Sequence, residues 1–193
     1  LAALGAACAV LTEEAPHIGF ATAALEGRTV TASCGVRVRS DEPAEEIEAD
    51  TVLVVLSGRD LPDDVREAAL AILRRAKRKN SPLWAIGAGV VVLAQAGLPE
   101  GARVVAHPDL AGRIRARARR VEIGHGPFLW GETLATARAA GAAALMRHAL
   151  AQAQIAAEES EGAKRSEAAR SQLEPVNDRY DTTQKTVLAG LTI

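Results

Sequence analysis

Two apolar segments, each ended by glycine, constrain the fold of this chain more than any other feature. The first is Thr51–Gly58 (TVLVVLSG), and the second is Leu83–Ile86, which Gly87 follows. Continuous apolar runs of this kind are typical of strands buried on both faces of a parallel sheet. Between them, Leu61–Asn80 has the periodicity of an amphipathic helix. The apolar stripe of this helix is predicted to consist of Val65, Ala69, Ile72 and Ala76.

The alternation of strands and helices predicts an α/β fold, a three-layer sandwich with a mostly parallel, flavodoxin-like sheet. Further strands are predicted at Arg103–Ala106 and Arg120–Ile123, and a β-hairpin at Pro127–Thr136. Alanine-rich helices are predicted at Ala2–Ala15 and Ala139–Glu159.

The composition changes near Glu158, which suggests a boundary between two parts of the chain. The segment after it is charged and helix-prone, and Glu174–Lys185 is polar and typical of a loop. We therefore expect residues 1–158 to form one domain, and residues 159–193 to form a C-terminal helix and linker.

Charge and cysteine content exclude several classes of protein. The 23 basic and 24 acidic residues give a net charge of -1, which argues against a domain that grips nucleic acid by bulk charge. Cys8 and Cys34 cannot build a disulfide framework, and a reduced, cytoplasmic compartment is expected. Neither the cysteines nor the four histidines show metal-ligand spacing, so neither a metal nor a cofactor is predicted. Leu1–Leu11 and Leu83–Ala94 fall short of the roughly 20 residues that span a bilayer, so no membrane partner is expected.

The segment Trp84–Leu93 (WAIGAGVVVL) runs from a predicted strand through Gly-x-Gly directly into a helix. Small residues on such a strand-to-helix turn are typical of a nucleophile elbow, which carries a serine or cysteine at its apex. Here the apex is Gly87, which has no side chain with which to attack a substrate. A simple tight turn between strand and helix is the alternative interpretation.

Residues 85–108 (AIGAGVVVLAQAGLPEGARVVAHP) resemble a segment of the class I glutamine amidotransferase-like regulators of the AraC family. Val92–Ala94, Ala96–Leu98 and Glu100–Gly101 match that segment in register, and His107 falls on the family's histidine. The resemblance is strong over Thr51–Pro108, where Thr51–Gly58 resembles the family's preceding strand and its glycine turn. It is looser at Arg28–Val38 and Pro175–Leu188. The resemblance implies a sensor domain with the amidotransferase-like fold.

Departures from the family pattern shape the functional expectation. The family's elbow cysteine is Gly87 here, and Pro108 replaces the tryptophan after its histidine. The turn before the last helix, Thr136–Ala140, lacks the family's glycines. The resemblance also implies a first strand before residue 1 and a helix-turn-helix domain after residue 193. DNA contact is therefore expected only through a C-terminal domain that is not in this sequence.

The resemblance and the turn geometry together predict a ligand pocket without catalytic residues. Its candidate residues are Gly58, Gly87, Ala88, His107 and Arg138. The backbone N–H groups of Gly87 and Ala88 would lie at the start of a helix, a position that favours anions; collapse of the pocket around Gly87 is the alternative. The basic cluster from Arg113 to Arg120 is interpreted as a solvated helix face. The five aromatic side chains are interpreted as core, although Phe128 and Trp130 could reach a pocket rim.

We expect a non-enzymatic domain that senses a small-molecule effector and forms a homodimer, within an AraC-type transcriptional regulator. A hydrolase or amidotransferase of the same superfamily, with a nucleophile that the sequence does not reveal, is the second hypothesis. A stand-alone scaffolding protein is the third, because fold alone does not fix function.

Overall fold

The computed structural model describes residues 2–25, 29–31, 35–44, 53–57 and 63–190 of the 193. Within these ranges the chain divides into two units, Leu1–Ala149 and Leu150–Ile193. The first unit contains all the strands and the candidate site, and the second is helical.

A four-stranded sheet in the order β5-β6-β10-β9 forms the centre of the first unit. Its strands are β5 (Leu53–Ser57), β6 (Leu83–Gly87), β9 (Phe128–Leu129) and β10 (Leu134–Ala137). The strands β5, β6 and β10 pair in parallel, and β9 is antiparallel to β10 at the edge. Both apolar segments of the sequence are therefore neighbouring parallel strands, as predicted.

A second parallel pair, β7 (Arg103–Val105) with β8 (Glu122–Gly124), lies beside the central sheet. It is tied to β10 by a buried hydrogen bond of 2.7 Å that the Val105 N–H donates to Oγ1 of Thr136. Thr136 is fully buried, so this bond satisfies polar groups that water cannot reach.

Two short pairs complete the described strands near the N-terminus. They are β1 (Ala23–Ala24) parallel to β4 (Glu42–Pro43), and β2 (Thr29–Thr31) antiparallel to β3 (Arg37–Arg39). The prediction of an α/β fold with a mostly parallel sheet is confirmed. The described strands form parallel-rich sheets within a mixed α/β fold.

Five α-helices accompany these strands. They are α1 (Ala2–Glu14), α2 (Asp63–Arg78), α3 (Gly89–Gly97), α4 (Ala111–Arg115) and α5 (Ala142–Gly190). Among the described helices, none combines the length and the apolar character needed to cross a bilayer.

Helices α2 and α3 pack together over β5 and β6 and supply most of the core. Residues 89–94 of α3 are all buried, as expected for a helix that is apolar on every side. The predicted stripe of α2 is partly wrong. Ala69 and Ala76 are buried as expected, but Leu70 and Leu73 complete the buried face, because the larger side chains point into the contact with α3. Val65 and Ile72 are only half-buried.

Helix α5 is longer than the sequence predicts. The loop expected at Glu174–Lys185 is wrong, because the helix continues through Pro175 to Gly190. Proline removes one backbone hydrogen bond, but its fixed φ near −65° is compatible with helical backbone, so a single proline need not end a helix.

Two glycines allow close backbone approaches that fix the first unit. A Cβ at Gly89, the first residue of α3, would lie 2.2 Å from the carbonyl oxygen of Val55 in β5. A Cβ at Gly141, just before α5, would lie 2.2 Å from the carbonyl oxygen of Pro127. Both positions therefore require glycine for steric reasons.

We expect Gly89→Ala to destabilise the protein by at least about 2 kcal/mol, because the added methyl group meets rigid backbone in β5. Urea unfolding monitored by circular dichroism measures the change. The matched control is Gly112→Ala in α4, where no atom lies within 4 Å of the added Cβ. Equal stability of the two variants would contradict the close approach of α3 to β5.

We expect Thr136→Val to cost about 1–3 kcal/mol, because it leaves the buried N–H of Val105 without an acceptor while preserving side-chain shape. The same change at the exposed Thr133, in the same hairpin, is the control and should be nearly neutral. Unfolding midpoints that fall equally in both variants would show that the Val105–Thr136 bond does not tie β7 to β10.

Candidate functional site

The candidate residues of the sequence analysis follow the carboxyl ends of strands. Gly87 ends β6, His107 follows β7, and Arg138 follows β10. A cleft is lined by residues that follow β7, β8 and β10, so these three carboxyl ends meet at one edge of the sheet. In open α/β sheets this edge is where ligands bind. Gly58 lies outside the described residues.

The turn after β6 has the shape expected of a strand-to-helix elbow. Gly87 has a φ of +63°, in the left-handed region that favours glycine, and Ala88 returns to helical dihedral angles before α3 begins. Among the described residues, a Cβ at Gly87 would meet only Cβ of Ala139, at 3.9 Å, which is an ordinary contact. The backbone is therefore strained for other residues, but the described part of the chain leaves space for a side chain.

His107 caps the turn after β7 and is largely exposed to solvent, with 62% of its side chain accessible. Its Nδ1 lies 3.4 Å from Oδ2 of Asp109 and accepts a long hydrogen bond, also 3.4 Å, from the Asp109 N–H. The imidazole is thus engaged with its own turn, while the neighbouring residues Ala106 and Pro108 line the cleft.

The cleft has a volume of about 250 Å³ and combines apolar walls with basic side chains. Its lining residues are Ala106, Pro108, Ala111, Arg115, Ile123, Gly124, His125 and Arg138. Of the sequence candidates that the structure describes, Arg138 alone lies in this lining. The described lining includes three nitrogen-bearing side chains and no carboxylate.

Arg138 is the half-buried basic residue of the cleft. Its Nε is buried and has no hydrogen-bond partner within the protein. Its backbone is held on both sides, because its N–H donates to the Pro127 carbonyl and its own carbonyl accepts from the Gly141 N–H, each at 2.9 Å. The guanidinium is therefore fixed at its root, with one donor unsatisfied.

Sequence reasoning missed Arg115 and His125 as members of this cleft. Arg115 was assigned to a solvated helix face, and His125 to no site. Both are exposed residues, and they meet Arg138 only because α4 and the end of β8 lie beside the end of β10. The position of His125 directly after β8 was the available signal, whereas Arg115 is the last residue of α4 and lies near no strand end.

Three of the five aromatic residues, Trp84, Phe128 and Trp130, form a cluster with His148 outside the lining of the cleft. The assignment of Phe20 to the core is wrong, because this residue is exposed at the surface. Trp130 makes edge contacts with Trp84 and His148, each with ring centroids 5.2 Å apart, and Phe128 lies 5.4 Å from His148. Phe128 and Trp130 thus pack against the first turns of α5. Nε1 of Trp84 is buried without a hydrogen-bond partner.

Two further groups bear on nucleophilic chemistry. Burial, together with the charge of Asp41, raises the pKa of the Cys8 thiol. Hydrogen bonds from the backbone N–H and the hydroxyl of Thr22 hold the pKa of Asp41 below its usual range. Cys8 is thus kept as a thiol, a poor nucleophile. No group of three or more potential metal ligands is found within the described part of the chain.

Comparison with known proteins agrees with this geometry. The sequence profile of the DJ-1/PfpI family matches residues 5–153. The HTH-type transcriptional regulator CdhR of Pseudomonas aeruginosa is 37% identical over 82 residues, which are 42% of this chain and 24% of that protein. The chain therefore aligns with about a quarter of the length of this curated relative.

Solved structures share the fold at lower identity. An AraC family transcriptional regulator from Pseudomonas putida superposes with a TM-score of 0.61 at 21% identity, covering 75% of this chain and 79% of the other. A putative protease I from Bacteroides thetaiotaomicron superposes with a TM-score of 0.66 at 15% identity, covering 79% and 91%. The amidotransferase-like fold implied by residues 85–108 is confirmed, and the chain belongs to the DJ-1/PfpI family.

Proposed function

We propose that this chain is the non-catalytic, effector-sensing domain of an AraC-type transcriptional regulator. The observation that carries the proposal is the elbow-like turn at Gly87, which has left-handed backbone and no side chain. A covalent mechanism needs a nucleophile with a neighbouring base, and this turn supplies neither. A domain that keeps the fold without the nucleophile is suited to binding rather than turnover.

Other candidate groups do not replace the missing nucleophile. Cys8 lies in α1, and its raised pKa disfavours the reactive thiolate. His107 is mostly exposed, and its described hydrogen-bond partner is the backbone N–H of Asp109 rather than a serine or a cysteine. Cys34 lies outside the described residues. These observations favour a binding role for the carboxyl edge of the sheet.

The regulatory part of the proposal is supported by the similar proteins. CdhR and the P. putida protein are both transcriptional regulators by name. In this proposal residues 1–158 sense the effector at the carboxyl edge of the sheet, where the candidates Gly87, Ala88, His107 and Arg138 follow strand ends. Residues 159–193 then lead to a DNA-binding domain, and the protein works in the cytoplasm. Two-fold symmetric association would suit paired DNA half-sites.

In the variant Gly87→Cys, we expect the introduced thiol to react with iodoacetamide about tenfold faster than the thiol of Cys8 at neutral pH. The reason is that the amino end of a helix lowers the pKa of a thiol. Mass spectrometry of timed alkylation measures both rates in the same molecule. Gly162→Cys in the middle of α5 is the control, since it offers an open, exposed position away from a helix end. A folded variant whose residue 87 reacts no faster than residue 162 would contradict the elbow.

We expect the protein to release no ammonia from glutamine or small amides above the rate of a buffer blank. Turnover that survives Cys8→Ala and Cys34→Ala would overturn the non-catalytic assignment in favour of a hydrolase or amidotransferase.

The regulatory assignment is tested separately with the full-length gene product. Its reading frame should continue past Ile193 into a helix-turn-helix domain, and the full-length protein should retard DNA from its own promoter region.

A further inference from the structure

We propose that the cleft between the ends of β7, β8 and β10 binds a small organic anion, with its oxyanion head on Arg138 and a short aliphatic body against the apolar wall. This proposal rests on the sensing function proposed above and specifies the chemical class of the effector. It moves the binding site from the Gly87 turn to a neighbouring cleft.

The charge of the lining favours an anion. Arg115 and Arg138 present guanidinium groups, which are positively charged in proteins, and His125 adds an N–H donor. Of the carboxylates next to lining residues, Glu122 pairs with Arg103 at 3.2 Å, and Asp109 lies against its own turn, 3.4 Å from Nδ1 of His107. Among the described residues, the lining therefore presents donors and no carboxylate.

The Nε of Arg138 is the sharpest evidence. It is a buried donor without an acceptor, which is costly, and a turn of the side chain that brings Nε–H into the cleft would let an oxyanion satisfy it with a charge-assisted hydrogen bond. The backbone of this residue is fixed, because its bonds to Pro127 and Gly141 lie at a close approach that only glycine at 141 permits. The root of the side chain is thus held in place before binding, which reduces the entropy lost on binding.

The size and polarity of the cleft narrow the range of ligands that fit it. Its volume of about 250 Å³ lies below the range of about 300–1,000 Å³ typical of drug-sized ligands, so a molecule of a few carbons fits. Ala106, Ala111 and Ile123 provide aliphatic surface in the same lining as the basic groups. Carboxylates and phosphates both match a guanidinium, and the two head groups are distinguished by experiment.

The test is an NMR titration of the full 193-residue chain that follows the Nε–Hε signals of its arginines. Butyrate is the carboxylate probe, inorganic phosphate is the phosphate probe, and the neutral isostere butyramide is the control, all at constant ionic strength. We expect butyrate or phosphate, but not butyramide, to shift the Arg138 signal saturably. Butyrate binding identifies a carboxylate head group, and phosphate binding alone identifies a phosphate head group.

Three variants test the role of Arg138. Arg138→Met removes an unpartnered donor, so it should leave stability unchanged or higher, yet weaken anion binding about tenfold or more. Arg138→Lys keeps the charge but not the planar fork, and should bind with intermediate affinity. Arg119→Met removes an exposed charge outside the cleft lining and should bind like the parent protein.

The proposal is wrong if butyramide shifts the signals as butyrate does, if neither anion binds, or if Arg138→Met binds with parental affinity. These outcomes are separate from failure of the proposed function, which the same preparation would reveal as amide hydrolysis. A protein that neither hydrolyses amides nor binds anions would keep the non-catalytic assignment and lose only the anion cleft.

Discussion

Helix α3 can begin directly after β6 only because Gly89 lets it rest on the backbone of β5. A side chain there would put a carbon 2.2 Å from the carbonyl of Val55, so α3 would have to move off the sheet. Since residues 89–94 of α3 are all buried, that movement would open the core formed with α2. The left-handed turn at Gly87 follows from the same constraint, because the chain must reverse within one residue of the strand.

The buried side chain of Thr136 connects the β7–β8 pair to the carboxyl end of the central sheet. Thr136 accepts the hydrogen bond that joins the β7–β8 pair to β10, and this bond brings the ends of three strands around one cleft. The elbow belongs to the local chain from β6 to α3, whereas the cleft depends on residues more than thirty positions apart. The turn at Gly87 and the cleft therefore rest on different contacts of the fold.

The local elements could be predicted from the sequence, because apolar run length, glycine and helical periodicity act over a few residues. The turn from Ile86 to Val90 is the clearest example. The buried face of α2 was predicted only in part, because the choice of Leu70 and Leu73 over Ile72 depends on where α3 lies. The end of α5 was missed, because proline at 175 is compatible with helical dihedral angles.

The cleft was less predictable than the local elements, because it depends on contacts between distant parts of the chain. Arg138 was recognised as a candidate, but Arg115 and His125 join it only through contacts between α4, β8 and β10. His107 follows a strand end as expected, yet its side chain turns onto Asp109, a direction that is set by the capping geometry of its own turn. Side-chain direction at a strand end is not encoded in spacing alone.

The aromatic cluster has a spectroscopic consequence. Both tryptophans of the chain belong to it, and their ring centroids lie 5.2 Å apart. Indole fluorescence therefore reports only on the packing of β6, the end of β9 and His148 at the start of α5. Ellipticity at 222 nm, in contrast, is dominated by helix, much of which lies in Leu150–Ile193. Because coincident transitions by different probes are the mark of two-state unfolding, comparing these two signals separates melting of the family domain from melting of the C-terminal helix.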